Sequence, residues 1–139
     1  MSKTSGLGAA LVVDDASGTP QTITNDFTDF TLSTPRAVQD VTGLDKSAHE
    51  RLLLLADATV DIKGVFNPAA NMSHAVFSTV PSTSVARTTK ITPTSGSTPY
   101  ISMSLLFEDY GVTRAAAGEL TFNAKGNLAD GSVPTWTNS

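Results

Sequence analysis

The stretches TVDIKGVF at residues 59–66 and YISMSLLF at residues 100–107 decide the fold class, because apolar and polar side chains alternate along both. In the first stretch Val60 and Ile62 share one face, and polar side chains occupy the other. Successive side chains of a β-strand point to opposite faces, so this alternation predicts strands with one buried face. In the second stretch the predicted buried face is formed by Ile101, Met103, Leu105 and Phe107.

Short strands separated by turns are predicted on both sides of these two stretches. Residues 119–125, ELTFNAK, alternate as well, which predicts that Leu120 and Phe122 face the core. Further strands are predicted at residues 8–14, 20–24, 30–42 and 85–92. Strands that follow one another without alternating helices favour antiparallel pairing. The sequence therefore predicts a mainly β protein, an antiparallel sandwich or barrel-like fold.

One short helix is predicted to flank the sheet. Asn67 and Pro68 are a favoured N-cap and a favoured first helical residue, and Met72, Val76 and Val80 follow at a spacing of four. This pattern predicts a helix over about residues 68–80. A second helical turn is predicted within the loop at residues 43–51, where SAHE matches a capping box.

The length of 139 residues fits a single domain, and we expect residues 1–7 to be an arm and residues 127–139 a polar tail. No apolar run is long enough to span a membrane, and no secretion signal is predicted. A net charge of -4 argues against a nucleic-acid-binding surface. Charged residues make up only 16% of the chain, and serine with threonine about a quarter, which fits surfaces that neighbouring subunits cover.

Residue patterns typical of catalysis are missing from the sequence. Cysteine is absent, and His49 and His74 do not have the spacing of a metal site. The stretch GLG at residues 6–8 lacks the third glycine of a dinucleotide fingerprint and precedes a strand. Neither a GxSxG elbow nor a phosphate-binding loop occurs. The sequence therefore predicts no enzyme, no cofactor and no metal.

Several stretches resemble the major tail tube proteins of siphovirus-type tailed bacteriophages. The longest are VTGLDKSAHER at residues 41–51 and LLADATVDIKGVFN at residues 54–67. The resemblance continues in LLFEDY at residues 105–110, AGELTFNAKG at residues 117–126 and GLGAAL at residues 6–11. It covers most of the chain in order.

The resemblance implies a structural virion protein, a β-sandwich with one flanking helix. Subunits would form hexameric rings whose inner sheets join into a barrel, and the rings would stack into a tube that conducts genome DNA. The implied partners are further copies of the chain, the tail tip, terminator and tape-measure proteins, and DNA in transient, non-specific passage. The implied location is the virion tail, assembled in the cytoplasm of the host bacterium, with no membrane partner.

Two groups of residues are candidates for assembly. The mixed charge of the loop at residues 43–51 predicts contacts with a neighbouring subunit that help to set ring stacking. Trp136 is a large apolar ring in a polar tail, and it can dock on its own domain or on a neighbour. The candidate inter-subunit contacts are Asp45, His49, Glu50, Arg51 and Trp136. The candidates for the lumen, which we expect to be acidic, are Asp61, Lys63, Glu119, Asn123 and Lys125.

Other classes of protein remain open at this point. A head–tail connector, a head decoration subunit or the inner tube of a contractile injection system would share the same structural features. A carbohydrate-binding β-sandwich is a more distant alternative, because it normally presents an exposed aromatic platform and aromatic residues are only 6% of this chain.

Overall fold

The computed structural model describes residues 5–129 and 131–138. Residues 1–4 of the predicted arm and residues 130 and 139 of the predicted tail lie outside the described residues. The described chain folds into ten strands and one helix. In chain order they are β1 (Ala10–Asp14), β2 (Pro20–Thr22), β3 (Phe27–Ser33), β4 (Arg36–Asp40), β5 (Arg51–Ala56), β6 (Thr59–Val65), α1 (Ser73–Phe77), β7 (Arg87–Thr92), β8 (Tyr100–Arg114), β9 (Leu120–Leu128) and β10 (Trp136–Thr137).

Antiparallel pairing organises the strands into a large sheet and a small one. The large sheet has the order β2-β1-β7-β8-β9-β6-β3, and β10 pairs with β8 beside it. Strands β4 and β5 form a separate two-stranded sheet. The large sheet is not closed into a barrel. The prediction of a mainly β, antiparallel fold with one short helix is thus confirmed.

The long strand β8 joins two halves of the large sheet. It pairs with β7 through residues 101–105 and with β9 through residues 105–114, with a bulge at Glu108. We call β2, β1, β7 and residues 100–105 of β8 the first half. The second half consists of residues 106–114 of β8, here the distal segment of β8, with β9, β6 and β3.

One apolar core connects the two halves. Leu11 from β1 and Ile62 from β6 are both completely buried in it, together with Phe77 from α1. The ring of Phe77 lies edge-on to Phe107, with 5.0 Å between centroids, and stacks on Tyr110 at 5.7 Å. The helix therefore closes the core where the distal segment of β8 leaves the first half.

Most of the predicted core residues are buried. Alternation placed Ile101, Met103, Leu105, Phe107 and Phe122 correctly. The prediction for Leu120 is wrong, because this side chain is 37% exposed. Leu120 forms the last pair of the β8–β9 ladder, opposite Arg114, and so lies at the rim of the sheet.

The helix is shorter than predicted, at Ser73–Phe77, because Asn71 has a left-handed backbone conformation, with φ of 62°, that a continuous α-helix cannot contain. The side chain of Asn67 accepts a hydrogen bond from the amide of Ala69 and donates one to the carboxylate of Asp26. Asp26 also accepts a 2.9 Å hydrogen bond from the amide of Ser73 at the start of the helix. A buried carboxylate from a residue distant in sequence thus replaces the local cap. Among the described residues no helix has the length and apolar content needed to span a membrane.

Arg87 of β7 ties the helix to the first half of the sheet. Its side chain is completely buried, and Nη1 donates to the carbonyl oxygens of Val76, at 2.8 Å, and Asp14, at 3.2 Å. Nη2 donates to Thr79 Oγ1 at 2.8 Å. The guanidinium therefore satisfies backbone acceptors in two elements that would otherwise lack partners.

Candidate assembly surfaces

The second half of the sheet ends in two strands that are each paired on one side only. Strand β3 pairs with β6, and within the described residues it has no neighbour on its other side. The distal segment of β8 pairs with β9, and no described strand covers its other side, because the pairing with β7 ends at Leu105. Unpaired edges expose backbone donors and acceptors and are templates for further strand pairing.

The outer face of the second half collects most of the residues predicted for the lumen. In β6 and β9, Asp61 lies opposite Lys125 and Lys63 opposite Asn123. These four side chains point away from the core, because Val60, Ile62, Phe122 and Ala124 occupy the inward face. Glu119 does not join them, since it lies in the turn that precedes β9.

Acidic residues outnumber basic ones on this outer face. The register places Asp29 of β3 beside Lys63, and Asp109 of β8 beside Lys125. Glu108 forms a 3.7 Å ion pair with Lys125. The oxygens Asp61 Oδ1 and Asn123 Oδ1 are buried and have no hydrogen-bond partner. The face therefore carries four carboxylates, Asp29, Asp61, Glu108 and Asp109, against two ammonium groups, Lys63 and Lys125.

Strands β4 and β5 form a hairpin that projects from the large sheet between β3 and β6. It exposes apolar side chains on both faces. Leu53 is 59% exposed and Leu55 88% exposed, and Val38, Leu52 and Leu54 are exposed as well. The guanidinium of Arg36 donates two hydrogen bonds, of 2.8 and 3.0 Å, to the carbonyl oxygen of Leu54. A two-stranded ribbon is at best marginally stable alone in water. This apolar ribbon therefore has the character of a surface that another molecule covers.

Side chains close the hairpin where the predicted helical turn was expected. His49 Nδ1 lies 3.0 Å from Asp40 Oδ2, and the hydroxyl of Thr42 contacts the other carboxylate oxygen. The amide of Glu50 donates to Thr42 Oγ1 at 2.8 Å. Hydrogen bonds from the Thr42 side chain and then from its amide hold the pKa of Asp40 below its ordinary value.

The helical turn predicted at residues 43–51 is therefore wrong. Residues 47 and 48 form a bend, residues 49 and 50 have no regular secondary structure, and β5 begins at Arg51. The amide of Glu50 bonds across the hairpin to Thr42, so the local capping box does not form. The four leucines at residues 52–55 are too short a run to assign from their period. Only their pairing with residues 36–40 identifies them as part of a hairpin.

The candidate contact residues lie in two separate places. Asp45, His49, Glu50 and Arg51 are all exposed at or near the hairpin tip. Trp136 lies in β10, opposite Ile101 of β8, on the first half of the sheet. Its ring is 42% exposed, so it packs on its own domain and still presents surface to solvent.

These features define a class of protein, a mainly antiparallel β fold in which one half of the large sheet has two free edges and an apolar hairpin is exposed beside it. No family model matches the sequence, and no curated protein is similar to it. Solved structures are similar in fold. One chain from the tail of an empty gene transfer agent particle, computed with helical refinement and C6 symmetry, superposes with a TM-score of 0.71 at 17% identity, covering 99% of both chains.

A chain from the virion of a native gene transfer agent particle is also similar. Its TM-score is 0.64 at 15% identity, over 91% of this chain and 95% of that chain. The protein thus has the fold of these particle components over nearly its whole length.

Proposed function

We propose that the chain is the structural subunit of a tail tube, in which copies join edge to edge into hexameric rings that stack around a channel for DNA. The observation that carries this proposal is the pair of free, unlike edges on one four-stranded half of the sheet. The nearly complete fold match to a chain of a C6-symmetric tail supports it. The role is structural and non-catalytic.

Strand direction makes the two edges compatible. Each neighbouring pair in the series β3, β6, β9 and β8 is antiparallel, so the distal segment of β8 runs opposite to β3. A copy rotated about a ring axis then places its β3 antiparallel to the β8 of its neighbour. Contacts between two different surfaces generate rings when the rotation closes. Six copies of four strands would make a continuous barrel of 24 strands without free edges.

The acidic outer face of the second half would line the lumen. DNA is a dense polyanion, so a lumen rich in lysine and arginine would bind phosphates and retain it. Four carboxylates against two ammonium groups favour passage instead. Replacing Asp61 with Lys should leave tubes able to form but slow DNA ejection. A bore lined mainly by basic residues in a tube structure would rule this assignment out.

The hairpin would contact the adjacent ring. Its exposed leucines need a cover, and its tip carries the charged residues Glu50 and Arg51. We expect charge reversal at Glu50 or Arg51 alone to weaken ring stacking, and the double reversal to restore part of it. Normal stacking after either single change would contradict this role. Tail tip, terminator and tape-measure proteins are the further partners, in a virion tail assembled in the host cytoplasm.

Cysteine cross-linking tests the edge-to-edge contact directly, because the chain has no native cysteine. We would combine Thr31→Cys in β3 with cysteines scanned along residues 109–113 of β8. Oxidation of assembled protein should give a ladder of covalent species that ends at six subunits. The matched control pairs the same β8 cysteines with Thr22→Cys in β2. Equal ladders from both sets, or protein that stays monomeric at high concentration and with a tail-tip nucleator, would refute the proposal.

A further inference from the structure

Each of the two free edges carries a bulge with an acidic residue. In β3 the register shifts between Phe27 and Asp29, and in the distal segment of β8 it shifts between Phe107 and Asp109. Bulges and charged side chains are the means by which natural proteins keep exposed strand edges from pairing. A bulge and a charged side chain occur together on each of the two edges that must pair in the proposed ring.

The carboxylates of Asp29 and Asp109 are left without partners. Glu108 forms a 3.7 Å ion pair with Lys125, but no hydrogen bond or ion pair of the Asp29 or Asp109 side chain occurs within the described residues. Strand β3 contains no basic residue, and the distal segment of β8 contains only Arg114, at its end. Neither edge strand therefore offers a cation of its own beside the other edge's carboxylate. The nearest ammonium groups, Lys63 and Lys125, lie one strand in, opposite Asp29 and Asp109.

Joining the edges would bring these carboxylates onto one face of a continuous sheet. Asp29 belongs to the row of Lys63, Asn123 and Gly111, and Asp109 belongs to the adjacent row of Asp61 and Lys125. Neighbouring rows and strands are separated by about 5–7 Å, which is less than the screening length of about 8–10 Å at ordinary ionic strength. Like charges at such positions destabilise strand pairing.

We propose that Asp29 and Asp109 form an electrostatic barrier between subunits, which keeps the free edges apart until a nucleating surface or an existing ring supplies enough additional contact. This proposal rests on the proposed ring assembly. It predicts that the barrier depends on charge rather than on side-chain shape. Neutral isosteres at the two positions should therefore polymerise more readily than the wild type.

The test compares wild-type protein with the double variant Asp29→Asn, Asp109→Asn by sedimentation and negative-stain microscopy at low salt. Loss of the repulsion should lower the critical concentration for tube formation by roughly threefold to tenfold. Raising the salt to about 1 M shortens the screening length to about 3 Å and should bring the wild type close to the variant. A purely structural effect of the substitutions would not show this convergence.

Glu119→Gln is the control for position, because it removes a negative charge from a turn outside both edges, and it is compared with each single variant, Asp29→Asn and Asp109→Asn. It should assemble at the wild-type concentration. If the double variant formed tubes at the same critical concentration as the wild type, or at a higher one, the proposed barrier would be contradicted. The proposed tube function would not be affected. Failure of every protein to form rings or tubes, at any salt concentration and with a nucleator, would overturn the proposed function itself.

Discussion

The leucines of the sandwich body and those of the β4–β5 hairpin have opposite environments. Leu11 and Leu105 are completely buried in the core of the body. Leu53 and Leu55 belong to a ribbon whose strands are exposed on both faces. Burial of such side chains is what stabilises a folded domain. The body therefore completes its apolar core within one chain, whereas the hairpin leaves its apolar side chains exposed, as the proposed contact with an adjacent ring requires.

The core of the body should respond most strongly to truncation. Phe77→Ala removes a completely buried ring that contacts Phe107, Tyr110 and Phe122, so we expect a loss of about 3–5 kcal/mol in the free energy of unfolding. Chemical denaturation of the monomer measures this change. Leu55→Ala, at an 88% exposed site, is the control and should leave the midpoint nearly unchanged. A small effect of Phe77→Ala would mean that the helix does not close the core.

A matched pair of leucine substitutions separates the two regions. Leu105→Ala should cost the monomer about 2–5 kcal/mol, since the site is completely buried. Leu53→Ala makes the same chemical change in the hairpin, and it should alter monomer stability by less than about 0.5 kcal/mol. In sedimentation assays Leu53→Ala should instead raise the concentration needed for assembly. If it destabilised the monomer as much as Leu105→Ala, the contrast between body and hairpin would fail.

Substitution of Arg87, which links the helix to the sheet, should have an intermediate effect on the free energy of unfolding. Arg87→Met retains an apolar stem but leaves the carbonyls of Val76 and Asp14 without donors, at a cost of about 1–3 kcal/mol. Arg87→Lys keeps the charge but lacks the planar fork, so we expect it to recover little of that stability. Thermal unfolding followed by circular dichroism measures both variants. Full recovery by lysine would show that charge rather than geometry matters at this position.

The smallest effect concerns pH at the hairpin. The pKa of Asp40 is lowered from its ordinary value of 3.8, chiefly by the Thr42 hydroxyl. A lowered folded-state pKa means that ionised Asp40 stabilises the hairpin above pH 3.8, and that this contribution fades as the pH falls through the folded-state value. We expect nuclear magnetic resonance signals of residues 40–50 to shift in a transition whose midpoint lies below pH 3.8. Asp40→Asn should abolish this transition, and an unchanged transition would exclude Asp40 as its cause.

Sequence alone predicted the parts of the fold in which side chains alternate along a strand. Val60, Ile62 and Phe122 were placed correctly because burial on one face leaves a period of two. The helix start at Asn67 was wrong because the left-handed backbone of Asn71 interrupts the helix, which begins only at Ser73, where Asp26 accepts from the first amide. The hairpin was missed because its leucines are exposed on both faces of the ribbon. Burial in the monomer therefore produces no alternation of apolar and polar residues there.

The candidate site was predicted only in part, for the same physical reason. Asp61, Lys63, Asn123 and Lys125 come together because strand parity fixed their face and antiparallel register fixed their rows. The alternation of side chains could not reveal which strands lie at the edge of the sheet. An edge depends on which strands pair, and pairing produces no period in the sequence. Asp29 and Asp109 were therefore not singled out, although the acidic bulges lie on the two free edges. The contact roles of Asp45, His49, Glu50, Arg51 and Trp136 stay predictions.

The position of the hairpin has a consequence for how a polymer of this chain would grow. The hairpin leaves the sheet where β3 ends and β6 begins, whereas the turn between β8 and β9 lies at the opposite end of the same strands. Any ring built from such subunits has a front that differs from its back. A filament of these rings is therefore polar: one of its ends presents hairpins, and the other end receives them. Elongation from a single seed would proceed in one direction and fix which way the cargo leaves.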